Sequence, residues 1–182
     1  RIFTTVHGTE WCRRERSFLP FIVRLVDKLL SIPRRHSVIA ISQSVRNLLL
    51  EREKIDPQKI TLLYNAIEVP DNLTHRSEDE CSIVYIGRLS EEKNVPCLIR
   101  AFDELESSDF SLLIVGTGPE EIYLKELVRK LNLTDRVKFN GAQFDLSAIY
   151  KANNILVLPS NYEGLGIVIL EAFSYGLSVI GS

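Results

Sequence analysis

The segment ILVLPSNYEGLGIVILEAFSYG, residues 155–176, carries the clearest fold signal in the chain. Its first four residues are apolar and predict a buried strand, which Pro159 and Ser160 end. A loop follows, and the segment from Ile167 to Tyr175 predicts a helix that Gly176 stops. A strand, a loop and a helix in this order leave free backbone N–H groups at the helix start. The stretch therefore predicts a turn where an anion can bind.

Two glutamates lie on either side of the glycines in this turn. Glu163 precedes Gly164 and Gly166, and Glu171 lies within the helix among apolar residues. A carboxylate in so apolar a run is costly unless it is paired or hydrogen-bonded. One interpretation is that both carboxylates accept hydrogen bonds from hydroxyls of a polyol, such as ribose or a hexose. The other is that Glu171 is partly exposed on an amphipathic helix, or is held by a neighbouring backbone N–H.

The second half of the chain alternates between strands and helices at a regular spacing. Such an alternation predicts an α/β fold with a doubly wound parallel sheet, in which the loops after the strands share one edge. We therefore expect the loops after Gly87, Gly116, Asn140 and Pro159 to be neighbours. The predicted strands are 82–87, 110–116, 136–140, 154–159 and 178–180, and the predicted helices are 95–105, 119–131, 146–152 and 166–175.

The first half predicts a second, smaller set of α/β elements. Strands are predicted over 1–6, 37–42 and 60–64, with a helix from Ser42 or Ser44 to about Glu53. The aperiodic, acidic residues 71–80 predict a linker, which separates a domain at 1–70 from a domain at 81–182. Because the chain opens without Met and both ends fall in predicted strands, we interpret it as a fragment truncated at both ends.

Bulk composition excludes several classes of protein. With 45% hydrophobic residues, 25% charged residues and a net charge of −2, the chain is globular and lacks a nucleic-acid signature. Three scattered cysteines form neither a disulfide framework nor a metal-binding spacing, which fits a reducing, cytoplasmic compartment. The basic segment 13–35 has apolar residues at helical spacing. We interpret it as contacting an anionic membrane surface or acceptor, or as a core-facing helix with a solvated face.

The loop GRLSEEKN, residues 87–94, contains two cations at a helix start. An Arg can hold a phosphate with two N–H groups, and a Lys adds a compact charge, so Arg88 and Lys93 predict a diphosphate site. Asn94 is expected to cap the following helix. The alternative is a pair of surface cations neutralised by the two glutamates of the same loop.

The next loop, GTGPEE at residues 116–121, begins like the dinucleotide fingerprint G-x-G-x-x-G. Glu121 stands where the third glycine belongs, and no well-placed ribose-binding acid follows, which weakens an NAD interpretation. The acids would also repel a phosphate. We therefore expect Gly116 to shape the wall of a pocket rather than to hold pyrophosphate.

His7 follows the first predicted strand, at the edge where open α/β sheets bind ligands. It is interpreted either as facing a site or as a solvated loop histidine. The sequence contains no catalytic triad, metal cluster or P-loop.

From Ile83 to Ile180 the chain resembles the donor-binding domain of retaining, GT-B fold glycosyltransferases of the large family 4 group. The matching stretches are YIGRLSEEKN, LIRAF, LLIVGTGP, VKFNG and LPSNYEGLGIVILEA, and their order and spacing make a specific signal. Two glutamates eight positions apart are the signature of that family. The resemblance implies a Rossmann-like donor domain at 81–182 and the tail of a Rossmann-like acceptor-binding domain at 1–70.

The resemblance also implies roles for individual residues. Arg88 and Lys93 match the pair that holds the donor diphosphate, and Glu171 matches the glutamate that binds the ribose hydroxyls. Glu163 matches the glutamate near the donor sugar, and His7 matches the histidine that faces the reacting sugar. The predicted donor-binding set also includes Gly87, Gly116, Gly164, Leu165, Gly166 and Asn65. The last of these lies in a stretch, NAIE, that resembles a hinge motif but has Ala66 and Glu68 where Gly and Asp are usual.

The activity that the resemblance implies is transfer of a sugar from a nucleotide diphosphate sugar, with retained anomeric configuration and without a metal or other cofactor. The acceptor would be a glycan, a lipid-linked molecule or a small molecule. The expected location is the cytoplasm, or the inner face of a membrane. The competing hypotheses are an NAD(P)-dependent oxidoreductase and a non-catalytic nucleotide-binding fragment.

Overall fold

A computed structural model describes residues 2–6, 36–70, 81–105, 109–161 and 166–182. The chain divides into two compact units between Ala66 and Ile67. Each unit is built on its own parallel sheet, so the predicted α/β architecture is confirmed. The expected linker, residues 71–80, lies outside the described residues. No helix in the described ranges is both long and apolar enough to cross a membrane.

The first unit contains a parallel sheet of three strands. They lie side by side in chain order, as β1 (Ile2–Val6), β2 (His36–Ala40) and β3 (Ile60–Leu62). Helix α1 comprises Gln43–Glu51, and a 3-10 turn at Pro57–Lys59 precedes β3. Helix α1 connects β2 to the third strand, and the Ser42 side chain accepts a hydrogen bond from the N–H of Val45 at 3.2 Å. The predicted serine cap is therefore confirmed.

The second unit contains a five-stranded parallel sheet in the order β6-β5-β4-β7-β8. Its elements agree with the predicted ones to within a few residues. The strands are β4 (Cys81–Ile86), β5 (Phe110–Val115), β6 (Val137–Phe139), β7 (Ile155–Leu158) and β8 (Ser178–Gly181), and the helices are α2 (Val95–Asp103), α3 (Glu121–Lys130), α4 (Ser147–Ala152) and α5 (Ile167–Ser174).

The core of the second unit is built around the central strand β4. Val84 and Tyr85 of β4 are fully buried, as expected for a strand covered on both faces. Helix α2 buries apolar residues at helical spacing on one face, and the charged residues Arg100 and Asp103 are exposed. The buried residues of α2 are Val95, Leu98, Ile99 and Phe102.

Gly176 ends α5 as the sequence predicts. It has a φ of 75°, which is the left-handed conformation that glycine adopts without steric cost. The N–H of Leu177 then reaches back to the carbonyl of Ala172 at 2.9 Å, and this bond satisfies a carbonyl at the helix end. The turn directs the chain into β8.

The expectation that Asn94 caps α2 with its side chain is wrong. Residues Glu91–Lys93 form a 3-10 turn, and Asn94 ends that turn with a φ of 49° and a ψ of 38°. Capping side chains usually project from an extended backbone, which this left-handed conformation excludes. The Asn94 amide instead contacts Asn161 Oδ1 at 3.4 Å.

Candidate functional site

The second sheet reverses its direction of growth at β4. Strands β5 and β6 follow on one side of β4, whereas β7 and β8 lie on the other. In open parallel sheets, ligands bind at such a reversal, outside the carboxyl ends of the two strands. The loops at this point follow Ile86 of β4 and Leu158 of β7. In the sequence these loops carry Arg88 and Lys93 on one side and Glu163 on the other.

Backbone hydrogen bonds join the loops at this edge. The N–H of Leu89 donates to the carbonyl of Thr117 at 3.0 Å, and the N–H of Glu120 donates to the carbonyl of Leu89 at 3.0 Å. On the other side, the N–H of Asn161 donates to the carbonyl of Glu92 at 2.9 Å. The loops after β4, β5 and β7 are therefore neighbours, as the sequence predicts.

Glycine is required in the loop after β5 because the β4 loop packs directly against it. A Cβ atom on Gly116 would lie 1.9 Å from the carbonyl oxygen of Gly87, and one on Gly118 would lie 2.2 Å from that of Leu89. Gly116 also has a φ of 134°, which residues with a side chain rarely adopt. Loop packing thus accounts for the G-x-G pattern without a bound dinucleotide.

The N–H groups of these two glycines are used within the protein. That of Gly87 donates to the Val115 carbonyl at 3.0 Å, and that of Gly116 donates to the Gly141 carbonyl at 2.6 Å. Neither N–H is left for a phosphate. Gly87 and Gly116 can therefore contribute to a ligand site through the close approach that glycine permits, rather than as hydrogen-bond donors.

The loop that holds Arg88 is anchored by a buried tyrosine. The Tyr85 hydroxyl donates to the carbonyl oxygen of Arg88 at 2.8 Å. Arg88 itself is exposed, and its guanidinium forms no ion pair with any residue that the structure describes. Tyr85 thus holds the backbone of Arg88 in place, while the Arg88 side chain is exposed to solvent.

Glu92 is the acidic neighbour of the two cations. Its pKa is lowered first by a hydrogen bond from the Ser90 hydroxyl, next by a backbone hydrogen bond, and then by the charges of Arg88 and Lys93. The Ser90 hydroxyl donates directly to Glu92 Oε1. The charges of Arg88 and Lys93 therefore stabilise the ionised form of Glu92, while its carboxylate accepts a hydrogen bond from Ser90.

Glu171 is held by a tyrosine from the neighbouring helix. It lies in α5, partly buried, and Tyr150 of α4 donates its hydroxyl to Glu171 Oε2 at 2.6 Å. The pKa of Tyr150 is raised above its usual value by burial, and further by the hydrogen bond to Glu171 and its charge. The hydroxyl therefore stays protonated at neutral pH and acts as the donor.

The sequence predicts partial exposure or a backbone N–H partner for Glu171, and it does not indicate the Tyr150 hydroxyl. Tyr150 lies 21 positions earlier in the chain, so no local spacing connects the two. One signal was available. A tyrosine among the apolar positions of a helix needs a partner for its hydroxyl once it is buried.

The remaining predicted site residues are placed as follows. Gly166 is buried and directly precedes α5. Asn65 lies in the first unit, where its side-chain nitrogen is buried and has no acceptor among the described residues. Within the same described ranges, no three His, Cys, Asp or Glu side chains come together as a metal site. The residues His7, Glu163, Gly164, Leu165 and the basic segment 13–35 lie outside the described part of the chain.

Comparison with known proteins connects this architecture to a family. Residues 72–182 match the profile of the family described as Glycosyl transferases group 1. The N-acetyl-alpha-D-glucosaminyl L-malate synthase of Bacillus anthracis is 30% identical, and the match covers 100% of this chain and 49% of that protein. The chain spans about half the length of the curated relatives it matches, from 42% to 49% for the first three.

Solved structures agree with this assignment. WaaG, a glycosyltransferase involved in lipopolysaccharide biosynthesis, matches with a TM-score of 0.77 at 18% identity, over 98% of this chain and 55% of its own. Anabaena Alr3699/HepE, in complex with UDP and glucose, matches with a TM-score of 0.68 at 26% identity, over 80% of this chain and 44% of its own. The resemblance found in the sequence is confirmed: the chain belongs to the Glycosyl transferases group 1 family and has the parallel-sheet architecture of GT-B glycosyltransferases.

Proposed function

We propose that the protein containing this chain transfers a sugar from a nucleotide diphosphate sugar to an acceptor, with retention of the anomeric configuration. The observation that carries the proposal is the reversal of the second sheet between β4 and β7. One flanking loop holds Arg88 and Lys93, and the other leads to Glu163 and Glu171. Membership of the family supports the activity, and the UDP and glucose bound by Anabaena Alr3699/HepE support the class of donor.

In this proposal the two cations bind the donor diphosphate. Negative charge develops on that group as the bond to the sugar breaks, and preorganised cations stabilise it. Arg88 suits this task because its exposed guanidinium is unpaired within the described residues and its backbone is anchored by Tyr85. Because Arg88 and Lys93 supply the positive charge, the proposal includes neither a metal nor another cofactor.

The other site residues bind hydroxyl groups of the donor. Glu171 accepts hydrogen bonds from the ribose, Glu163 accepts them from the transferred sugar, and His7 faces the reacting sugar. The acceptor is a glycan, a lipid-linked molecule or a small molecule in the cytoplasm. The basic segment 13–35 contacts an anionic acceptor or the inner face of a membrane.

The test compares Arg88→Ala with Arg100→Ala in the intact protein. Arg100 is an exposed cation on α2, so the control removes the same side chain without touching the β4 loop. UDP-, GDP- and ADP-sugars are screened as donors, and the anomeric configuration of the product is read by NMR. Arg88→Ala is expected to lower kcat/KM by about 100-fold, as for loss of one electrostatic donor in a site.

Two further results are expected from the same assay. Arg100→Ala should keep the wild-type kcat/KM, and EDTA should leave turnover unchanged. Unchanged turnover in Arg88→Ala, or a product of inverted configuration, would contradict the mechanism. Failure of the wild-type protein to use any nucleotide sugar would contradict the activity itself.

A further inference from the structure

We propose that Tyr150 is a positioning residue for Glu171 and that its hydroxyl determines how strongly the protein prefers ribose to deoxyribose in a bound nucleotide. The inference rests on the proposed function, because it assumes that Glu171 binds the ribose of the donor. It adds a residue that lies outside the motifs of the two loops and that reaches the ligand only through Glu171.

The side chains of Tyr150 and Glu171 are joined directly by a hydrogen bond. Tyr150 Oη lies 2.6 Å from Glu171 Oε2, a short, charge-assisted hydrogen bond. A glutamate without such a bond samples several rotamers, and ordering it costs entropy when a ligand binds. Because Tyr150 belongs to α4 and Glu171 to α5, the bond fixes the carboxylate relative to a second helix and not only to its own.

The Tyr150 side chain is held in place by its neighbours. Tyr150 is 2% exposed, and its ring stacks on that of Tyr175, with 5.2 Å between centroids and 22° between planes. Tyr175 directly follows α5, so α4 touches both the middle and the end of the α5 segment through one side chain. The end of α4 is held in addition by a hydrogen bond from Asn153 Nδ2 to the carbonyl of Ile149 at 2.8 Å. The hydroxyl of Tyr150 therefore has a fixed position from which to orient the carboxylate.

The Glu171 carboxylate can accept further hydrogen bonds beside the one from Tyr150. Tyr150 takes up one lone pair of Oε2, and no residue in the described ranges donates to Oε1. An ionised carboxylate has about four lone-pair sites, so an adjacent pair of ligand hydroxyls can still be bound. The vicinal 2′- and 3′-hydroxyls of ribose fit this capacity, whereas 2′-deoxyribose offers one donor fewer.

The experiment measures a ratio of affinities. The intact protein and its Tyr150→Phe variant are titrated by calorimetry with UDP, GDP and ADP and with the 2′-deoxy form of each. Phenylalanine keeps the ring and its stack on Tyr175 but removes the donor to Glu171. The wild-type protein should bind one of the three ribonucleotides more tightly than its deoxy form. Tyr150→Phe should reduce that preference by about tenfold, as for loss of a hydrogen bond to a charged group.

Two further variants separate positioning from a merely structural role. Tyr123→Phe removes the same atom from an exposed tyrosine of α3 and should leave the ratio unchanged. Glu171→Gln should reduce the preference by itself, and adding Tyr150→Phe to it should have no further effect, because the two residues act as a unit. Since both ligands are measured on the same sample, a loss of folded protein does not change the ratio.

The outcomes distinguish this inference from the function on which it rests. If the wild-type protein binds none of the three nucleotides, the proposed function fails. If the wild-type protein prefers the ribonucleotide and Tyr150→Phe retains the full preference, the role of Tyr150 is overturned while the function stands. An additive effect of Tyr150→Phe and Glu171→Gln also overturns it.

Discussion

The carbonyl oxygen of Leu89 lies 2.2 Å from the point that a Cβ atom on Gly118 would occupy. The same carbonyl accepts the N–H of Glu120 at 3.0 Å, so it cannot turn away without losing that bond. The loops after β4 and β5 therefore pack backbone against backbone next to Arg88. A side chain in this contact would move the loop that carries the proposed diphosphate site.

Gly118→Ala should lower the free energy of unfolding by about 3 kcal/mol, the upper part of the range for overpacking, because the clash is with a backbone atom. Gly141→Ala is the matched control. Gly141 has a φ of 61° and open space where its Cβ would lie, so the control suffers backbone strain alone, about 1 kcal/mol. Urea unfolding measures both values. Equal losses in the two variants would argue against the loop clash.

Tyr85→Phe should weaken donor binding through the backbone of Arg88. The substitution removes the hydroxyl that donates to the Arg88 carbonyl but leaves the buried ring in place. We expect a loss of about 1 kcal/mol in the free energy of unfolding, as for one hydrogen bond. The KM for the donor should rise, with Tyr123→Phe as the control. An unchanged KM would mean that the hydrogen bond from Tyr85 does not position Arg88 for donor binding.

Tyr150 should make the protein sensitive to alkaline pH. Its pKa is raised in the folded state, so its contribution to stability is complete below the unfolded value of about 10 and is lost as the pH rises above that value. Urea unfolding between about pH 9 and 11 measures the effect. The wild-type protein should lose stability more steeply than Tyr150→Phe. Parallel curves for the two proteins would contradict the assigned cause.

Glu92 should make the protein less stable at acidic pH, whereas Tyr150 acts at alkaline pH. The pKa of Glu92 is lowered in the folded state. Its contribution to stability is therefore complete above the pKa of the unfolded chain, and it is lost as the pH falls through the pKa of the folded protein. In acid unfolding followed by circular dichroism, Glu92→Gln should show a shallower pH dependence than wild type. Glu91→Gln removes an exposed neighbouring carboxylate and should follow the wild-type curve. A shallower curve for Glu91→Gln alone would contradict the role of the Ser90 hydrogen bond.

The case of Asn94 shows where local patterns mislead. An Asn two residues before a Pro at a helix start predicts a cap, yet Asn94 ends the preceding 3-10 turn and its backbone there is left-handed. Of the two serines predicted as caps, Ser42 caps its helix, and its φ of −148° is the extended conformation from which a side chain can cap. Capping depends on the conformation of the flanking turn as much as on the side chain.

The succession of strands and helices along the chain, their bounds to within a few residues and the helix stop at Gly176 could all be predicted from the sequence. These features depend on the spacing of apolar residues and on the backbone freedom of glycine, which are properties of neighbouring positions. The position of β4 between β5 and β7, the packing of Leu89 on Gly118 and the hydrogen bond from Tyr150 to Glu171 became evident in the folded chain. Periodicity shows which face of an element is buried, but the partner on that face is chosen by packing among residues distant in the chain.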